Sequence, residues 1–284
     1  MLLSIAGIHR NARGFVELLI RFADSVDNVI RYWFVDGIIK NEEGVSMSSP
    51  TQVPDVTATV ETEPYGIHGL DEKYMTHYSV GLENTAMKPN VLRAARFFQM
   101  TQLLKLTQGI DGATAEAGCF RGLASFLICK YRKEEDASFD GAGHFMVDSF
   151  EGLSEPVAED GELSKTRYVE GVFTRTSLGV CQNTLNEFPG ASIIKGWIPT
   201  AFHELPDQQY RFVHIDVDIY QPTLDALQYF FPKMAPGGII VVDDFGPWPG
   251  EKWPGCKIAV EQFSQEVQIP FAHLDTRNAM FIKR

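Results

Sequence analysis

Residues 212–220 read FVHIDVDIY, an apolar run that turns abruptly into acidic residues. The stretch IIVVDDF at residues 239–245 has the same pattern. Unbroken apolar runs of this length are typical of strands that are buried on both faces of a parallel sheet. Open α/β sheets bind their ligands at the carboxyl ends of such strands. We therefore predict an active site where these two strands end.

Four carboxylates follow the two predicted strands. Asp216 and Asp218 follow the first strand, and Asp243 and Asp244 follow the second. Carboxylates that lie close together repel one another unless a cation or protons compensate their charge. Oxygen ligands suit hard divalent ions, so the spacing indicates a divalent metal. A simpler explanation, in which an acid ends the strand and caps the helix that begins near Thr223, needs only one acid.

Strand and helix patterns alternate from Asp111 onward. The predicted strands are Ala113–Ala117, His144–Asp148, Ala191–Lys195, Phe212–Val217, Gly238–Asp243 and Ala279–Lys283. Residues 154–174 are acidic and lack an apolar period, so we predict an irregular segment there. Strands that alternate with helices predict an α/β fold with a doubly wound, mostly parallel sheet.

The first hundred residues have a different pattern. Apolar residues between Phe15 and Phe34 recur at helical spacing, which predicts an amphipathic helix, and Pro89–Leu106 has a second helical pattern. We predict a helical N-terminal extension over residues 1–108, with a mobile loop or lid at about 41–85. The second predicted domain spans residues 109–284.

Composition excludes several classes of function. The net charge of −12 argues against a nucleic-acid partner, and no apolar stretch reaches membrane-spanning length. The four cysteines have no CxxC spacing, which favours reduced thiols over a zinc site or a redox pair. We predict a protein of the cytoplasm whose partner is a small molecule.

A glycine turn, Glu116–Gly122, lies between the first predicted strand and the following helix. Glycine lets the backbone approach a ligand closely, and a helix N-terminus offers free N–H groups. The motifs GxGxxG and GxxxxGK[ST] are both absent, so neither NAD nor ATP is favoured. Asp148 ends the second strand, where a carboxylate can accept two hydroxyl donors. A tight turn with Asp148 as a loop cap is the alternative.

Four segments together resemble the macrocin O-methyltransferase family of class I S-adenosylmethionine-dependent methyltransferases. They are AEAGCFRG at 115–122, DSFEGL at 148–153, DVDIYQPTLDAL at 216–227, and PGG at 236–238 leading to DDF at 243–245. The resemblance implies a Rossmann-like sheet of seven strands and O-methyl transfer from S-adenosyl-L-methionine to a hydroxyl of a small molecule, such as a sugar or a glycosylated natural product. It also implies dependence on Mg²⁺ or another divalent cation, and a homo-oligomer.

The resemblance also implies roles for individual residues. The cofactor contacts are Glu116, Gly118, Phe120, Gly122, Ser125, Asp148, Ser149, Gly196, Trp197 and Asp216. The metal ligands are Asp216, Asp243 and Asp244. Trp197 either stacks on the adenine or packs at the rim of the pocket. Val217 and Leu123 stand where family members have glycine, and neither change removes a ligand.

The base that deprotonates the acceptor must differ from that of catechol-type methyltransferases. Those enzymes have a lysine three residues after the first acid, and here that residue is Ile219. We predict Asp216 and Asp218 as the catalytic residues. Asp218 is the base because it lies two residues on, on the same face of the strand. His214 and His273 are other candidates for the base.

Tyr220, Trp248 and His273 are candidates for the acceptor pocket, and for Tyr220 simple packing is the alternative. Three other functions are considered for the whole chain. One is a catechol or phenolic O-methyltransferase, and another is a non-catalytic partner protein with the cofactor-binding fold. The third, a metal-dependent hydrolase, leaves the glycine turn and Asp148 unexplained.

Overall fold

A computed structural model of the chain describes residues 3–10, 16–22, 29–35, 38–41, 69, 71–169, 171–246 and 253–284. The chain divides into two compact units, Met1–Thr62 and Glu63–Arg284. No helix in the described part of the chain is both long and apolar enough to cross a membrane.

The first unit contains a four-stranded antiparallel sheet in the order β1-β2-β3-β4. Its strands are β1 (Leu3–Arg10), β2 (Val16–Phe22), β3 (Val29–Val35) and β4 (Ile38–Asn41). The amphipathic helix predicted between Phe15 and Phe34 was therefore wrong. The segment VIRYWFV of β3 consists mainly of β-branched and aromatic residues, which favour strands. Pairing of β2 with β3 supplies the backbone hydrogen bonds that a helix would make internally.

The second unit alternates strands and helices. Its helices are α1 (Glu72–Thr85), α2 (Val91–Leu106), α3 (Leu123–Glu135), α4 (Gly161–Val169), α5 (Leu178–Thr184), α6 (Tyr220–Phe230) and α7 (Pro254–Val267). Its strands are β5 (Ala113–Ala117), β6 (His144–Asp148), β7 (Ser192–Lys195), β8 (Tyr210–Ile215), β9 (Met234–Val242), β10 (Ala272–His273) and β11 (Ala279–Ile282). Helix α4 lies in the segment that was predicted to be irregular.

The seven strands form one sheet in the order β10-β11-β9-β8-β5-β6-β7. Neighbours from β9 to β7 are parallel, and β11 runs antiparallel to β9. The predicted α/β fold with a mostly parallel, doubly wound sheet is confirmed. The chain runs from β5 outward to β7 and then returns to β8 on the other side of β5. The carboxyl ends of β5 and β8 therefore lie at the topological switch point, where such sheets bind ligands.

Hydrophobic side chains cover both faces of the sheet. On one face α6 and α7 pack through residues such as Leu227 and Phe263. On the other face α1, α2 and α3 pack through residues such as Tyr74, Phe97 and Phe126. Each of these large side chains, buried in full, contributes roughly 1.5–3 kcal/mol to folding. Central strand β5 is buried along its whole length, as expected of a parallel strand that is covered on both faces.

Helices α1 and α2 begin at side-chain caps. Asp71 accepts a hydrogen bond from the Tyr74 N–H and Asn90 from the Arg93 N–H, each at 2.8 Å. Both helices lie in the same compact unit as the sheet. The functional boundary at residue 108 stays a prediction. Most of the predicted lid, residues 42–68 and 70, lies outside the described residues, and its last part forms α1.

Candidate functional site

A cavity opens at the carboxyl ends of β5, β6 and β8. Its walls include the turn after β5, the end of β6, and the segments that follow β8 and β9. The predicted site residues on these walls are Glu116, Gly118, Phe120, Asp148, Ser149, Gly196, Trp197, Asp216, Asp218 and Asp244. The sheet thus brings together residues that are more than a hundred positions apart in the sequence.

The glycine turn passes very close to the segment after β8. Gly118 has a φ of +80°, and a Cβ atom at this position would overlap the backbone carbonyl of Asp216. Only glycine fits both requirements without strain. Gly122, with a φ of +85°, precedes the first turn of α3, so the free N–H groups of that helix begin at the turn.

Asp148 holds the glycine turn in place. One of its carboxylate oxygens accepts hydrogen bonds from the N–H groups of Cys119 and Phe120, each at 2.8 Å. The other oxygen accepts from the N–H of Phe150 at 2.7 Å. Burial raises the pKa of Asp148, and the three backbone hydrogen bonds partly offset that rise. A carboxylate has about four lone-pair sites, so one remains for a ligand hydroxyl.

Carboxylates from two strand ends meet beside this turn. One oxygen each from Asp216, Asp218 and Asp244 lies within 4.8 Å of the other two. Asp218 and Asp244 have left-handed φ values of +63° and +59°. Such backbone conformations cost about 1–3 kcal/mol in a non-glycine residue and concentrate at functional sites. Here the strain aims both side chains toward Asp216.

Arg96 on α2 partly neutralises the acids. Its guanidinium lies 2.6 Å from an Asp243 oxygen and 3.2 Å from an Asp244 oxygen. Burial lowers the pKa of Arg96, but the charges of Asp243 and Asp244 outweigh burial and raise it. Burial raises the pKa of Asp216 well above its usual range, and the charges of Asp243 and Asp244 raise it further. At Asp216, burial and the two neighbouring acids outweigh the opposing charges of His214 and Arg96.

The donor set fits a divalent cation. Neither oxygen of buried Asp243 has a hydrogen-bond partner within the described residues, although one contacts Arg96. A nitrogen of His214 and oxygens of Asp216 and Asp243 form a second group within 4.8 Å. The two groups of possible ligand atoms thus share Asp216 and divide the predicted ligands Asp243 and Asp244 between them.

A chain of hydrogen bonds between buried polar side chains leads to His214. Its Nδ1 lies 3.1 Å from a carboxylate oxygen of Glu116, and Ser125 donates a short hydrogen bond to the other Glu116 oxygen. Ser125 also contacts Nε2 of His144 at 2.8 Å. Burial lowers the pKa of His214, but the hydrogen bond and charge of Glu116 outweigh it, so the pKa is raised. The pKa of His144 falls to about 3, first because of burial and then because of Arg132.

Three of the other predicted site residues, Ser125, Tyr220 and His273, do not line the cavity. Ser125 is fully buried beneath Glu116. Tyr220 donates its hydroxyl hydrogen bond to Gln262 at 2.5 Å, and exposed His273 packs against the ring of Phe245. Trp248 lies outside the described residues. Of the three acceptor-pocket candidates, the structure therefore brings neither Tyr220 nor His273 to the cavity.

A family model described as macrocin-O-methyltransferase matches residues 80–283, more than two thirds of the chain. The chain belongs to this family. The resemblance predicted from the sequence motifs is thereby confirmed. The matched region begins inside α1, so the family region includes α2 with Arg96 as well as the sheet.

The curated relatives are distant from this chain in sequence. Mycinamicin III 3''-O-methyltransferase of Micromonospora griseorubida is 25% identical over 56% of this chain and 62% of its own length. Demethyldecarbamoylnovobiocin O-methyltransferase of Streptomyces niveus is 25% identical over 56% of this chain and 61% of its own length. The chain thus matches less than two thirds of these relatives.

Solved structures show the same fold. The O-methyltransferase NovP superimposes with a TM-score of 0.58 at 17% identity, covering 81% of this chain and 99% of that chain. The calicheamicin methyltransferase CalS11 gives a TM-score of 0.55 at 20% identity, with 66% of this chain and 78% of that chain covered. The two TM-scores, both above 0.5, establish that the fold is similar.

Sequence reasoning missed two residues of this family site. Arg96 lies on a helix whose apolar period was recognised, but nothing in that period marks one arginine as facing acids. Phe173 lines the cavity and packs against Phe120 with ring centroids 5.6 Å apart. It comes from the segment that was predicted to be irregular, where no pattern pointed to a site.

Proposed function

We propose that this protein is an S-adenosylmethionine-dependent O-methyltransferase that acts on a sugar hydroxyl of a glycosylated natural product. One observation carries the proposal: the glycine turn, Asp148 and the acids after β8 and β9 open into one cavity at the switch point of the sheet. Family membership and these O-methyltransferase relatives support the methyl transfer, and a third relative, an O-methyltransferase of Streptomyces olivaceus whose substrate carries a rhamnosyl group, supports the sugar acceptor.

The turn and Asp148 bind the methyl donor in this proposal. Gly118 admits the donor close to the backbone, and the N-terminus of α3 offers N–H groups. Asp148 orients the ribose through its remaining lone pair. Trp197, which is 41% exposed at the cavity wall, stacks on the adenine. These contacts hold the donor so that its methyl group faces the acids.

The acids orient the acceptor and remove its proton. Methyl transfer is an in-line displacement in which the acceptor oxygen bonds to the methyl carbon and the sulfur leaves with the bonding electrons. Alignment of the three atoms supplies much of the rate. The hydroxyl must also lose a proton, and Asp218 takes it in this proposal. The left-handed backbone of Asp218 directs its carboxylate into the group formed with Asp216 and Asp244.

We propose that the reaction requires a divalent cation, Mg²⁺ or another, held by Asp216, Asp243 and Asp244. Bound there, it would lower the pKa of the acceptor hydroxyl. The raised pKa of Asp216 and the missing hydrogen-bond partners of Asp243 support this part of the proposal.

Calorimetric titration with S-adenosylmethionine and S-adenosylhomocysteine tests the donor site. We expect binding of both, and no binding at millimolar ligand would refute the assignment. Methyl transfer to glycoside acceptors is then compared with transfer to phenolic acceptors, with and without EDTA. Glycoside turnover that EDTA abolishes and Mg²⁺ or Mn²⁺ restores is the expected result.

Asp218→Asn tests the base. We expect turnover to fall by about 10²- to 10⁴-fold, because a general base contributes that much, while binding of S-adenosylhomocysteine is retained. Asp225→Asn is the matched control, since Asp225 lies on α6 and accepts a hydrogen bond from the Gln221 side chain in an exposed position. Equal turnover in the two variants would contradict the assignment.

Two other functions make different predictions. A phenolic acceptor is disfavoured because Ile219, which is buried, occupies the position of the catechol-type lysine. Phenolic turnover that exceeds glycoside turnover would favour it again. A non-catalytic partner protein predicts that Asp216→Ala and Asp243→Ala leave the biological function intact.

Three wider properties belong to the same proposal. The protein forms a homo-oligomer, as the family resemblance implies. It works in the cytoplasm, which agrees with four free and buried thiols. Residues 1–108 are an extension to the catalytic domain, and the segment at about 41–85 acts as a mobile lid. Light scattering and limited proteolysis with and without S-adenosylhomocysteine test the first and third of these properties.

A further inference from the structure

His214 is a buried nitrogen donor for which the proposed mechanism has no role. Its side chain is fully buried at the end of β8. Nδ1 contacts Glu116 at 3.1 Å, whereas Nε2 has no hydrogen-bond partner among the described residues. An unsatisfied buried polar atom costs about 1–3 kcal/mol, so a partner for Nε2 would remove a real penalty.

The sheet register places His214 beside the acids. Glu116 and His214 are direct partners across β5 and β8, and Val241 is the partner of His214 on β9. Asp216 and Asp243 each lie two residues further along their strands, on the same face as His214 and Val241. A ring nitrogen of His214 and an oxygen of each acid lie within 4.8 Å of one another. Opposite ligands of one divalent ion are about 4.2 Å apart, so this spread is close to what one ion needs.

A directional chain of hydrogen bonds determines which nitrogen is available. Because Ser125 donates to Glu116, its oxygen accepts from Nε2–H of His144. Nδ1 of His144 then accepts from the hydroxyl of Thr114 at 2.8 Å. The Glu116 carboxylate, satisfied on one oxygen by Ser125, accepts from Nδ1–H of His214 on the other. In the neutral imidazole, this arrangement leaves the lone pair of His214 on Nε2.

We propose that His214 is a nitrogen ligand of the metal at this site, oriented by Glu116. The carboxylate–histidine–metal arrangement is the usual way in which proteins orient a ligating imidazole. Imidazole nitrogen suits first-row transition ions better than Mg²⁺. The site would therefore bind Mn²⁺ and Co²⁺ more tightly than Mg²⁺. This inference rests on the proposed function only in requiring that a cation bind at the acids.

The alternative is that Nε2 carries a proton and His214 serves as a fixed positive charge beside Asp216 and Asp243. In that case any bound cation has oxygen ligands alone. Metal spectroscopy separates the two arrangements, because only direct ligation couples a histidine nitrogen strongly to the unpaired electrons of Mn²⁺.

The test uses the full chain, freed of metal with EDTA and loaded with Mn²⁺. Pulsed electron paramagnetic resonance measures nitrogen coupling in the parent protein, in His214→Asn and in His203→Asn. Asparagine keeps an amide N–H near the position of Nδ1 for Glu116 and lacks Nε2. His203 is an exposed histidine that belongs to neither group of possible metal ligands. Protein grown with ¹⁵N-histidine shows whether the coupled nitrogen is histidine.

We expect nitrogen coupling in the parent and in His203→Asn, and none in His214→Asn. We also expect the affinity for Mn²⁺ and Co²⁺ to fall by about 10- to 100-fold in His214→Asn, with a smaller change for Mg²⁺. Calorimetry of S-adenosylhomocysteine binding checks that the variant is folded. Because the parent spectrum is decisive by itself, the test does not depend on the variant.

Mn²⁺ that binds the parent without histidine coupling would overturn the inference and leave the proposed metal-dependent function standing. Coupling that persists in His214→Asn would also overturn it. If Mn²⁺ and Co²⁺ fail to bind the parent at all, the inference and the metal requirement both fall. Donor binding would still be measured separately by the calorimetric titration.

Discussion

Replacement of Arg96 by methionine tests how much the positive charge of Arg96 stabilises the buried acids. The guanidinium of Arg96 lies 2.6 Å from Asp243 and 3.2 Å from Asp244, and the side chains of all three residues are largely buried. Methionine fills a similar volume without charge. In the metal-free protein, Arg96→Met leaves both carboxylates without this counter-charge in a desolvated environment.

Removal of one partner from a buried ion pair costs about 3–5 kcal/mol, and we expect a loss of that size here. A domain of 150–250 residues, such as the unit Glu63–Arg284, shifts its melting temperature by about 2–4 °C per kcal/mol. The expected decrease in Tm is therefore about 6–20 °C in EDTA.

A divalent cation should restore the lost stability. The ion supplies positive charge to the same carboxylates, and it no longer meets repulsion from the guanidinium. Ligand at 100 times its Kd stabilises the folded state by about 2.7 kcal/mol. Mn²⁺ should therefore bind Arg96→Met more tightly than the parent and stabilise it more at equal concentration.

Urea unfolding in EDTA and in a series of Mn²⁺ concentrations measures both effects. Lys105→Met is the matched control, because Lys105 also lies on α2, donates to the Gln102 side chain in an exposed position and does not line the cavity. Its variant should lie within about 0.5 kcal/mol of the parent. The reasoning fails if Arg96→Met is as stable as this control in EDTA, or if Mn²⁺ stabilises the parent and Arg96→Met equally.

Three further predictions concern the donor site and the buried polar chain. Gly118→Ala should abolish S-adenosylhomocysteine binding in calorimetry, because the added Cβ overlaps the Asp216 carbonyl. Gly109→Ala is the control: Gly109 also has a left-handed φ, of +83°, but open space around it. This variant should lose only about 1–2 kcal/mol of folding stability and keep binding. Asp148→Asn should weaken that binding at least tenfold and cost about 1–3 kcal/mol, because an amide N–H₂ would face backbone donors; unchanged affinity would contradict the role of Asp148. The pKa of His144 is lowered to about 3 in the folded protein, so between about pH 6.5 and 3 the unfolded chain binds a proton that the folded chain does not. The free energy of unfolding should therefore decrease as the pH falls through this range, by up to about 1.4 kcal/mol per pH unit. Urea unfolding of His144→Gln should show a flatter pH dependence, and an unchanged slope would count against this explanation.

Two strands of the sheet show what the local sequence pattern can predict correctly. β5 and β6 have the bounds that the sequence predicted, because each is a short buried run between residues that break a strand. In the N-terminal segment between Phe15 and Phe34, the local sequence pattern led to a wrong prediction. Its apolar residues are compatible with a helical and with an extended period, and pairing between β2 and β3, which no local pattern encodes, decided in favour of strands.

Within the site, the sequence alone determined which residue types stand at the strand ends. The four acids, the glycine turn and Asp148 are encoded locally, because each follows directly from the end of a buried strand. Only the tertiary structure decided their partners. Arg96 reaches Asp243 across 147 sequence positions, and Glu116 meets His214 because β5 and β8 pair in that register. Charge compensation and ligand orientation are short-range interactions in space between residues that are distant in the chain, so they arise only once the sheet and its covering helix have formed.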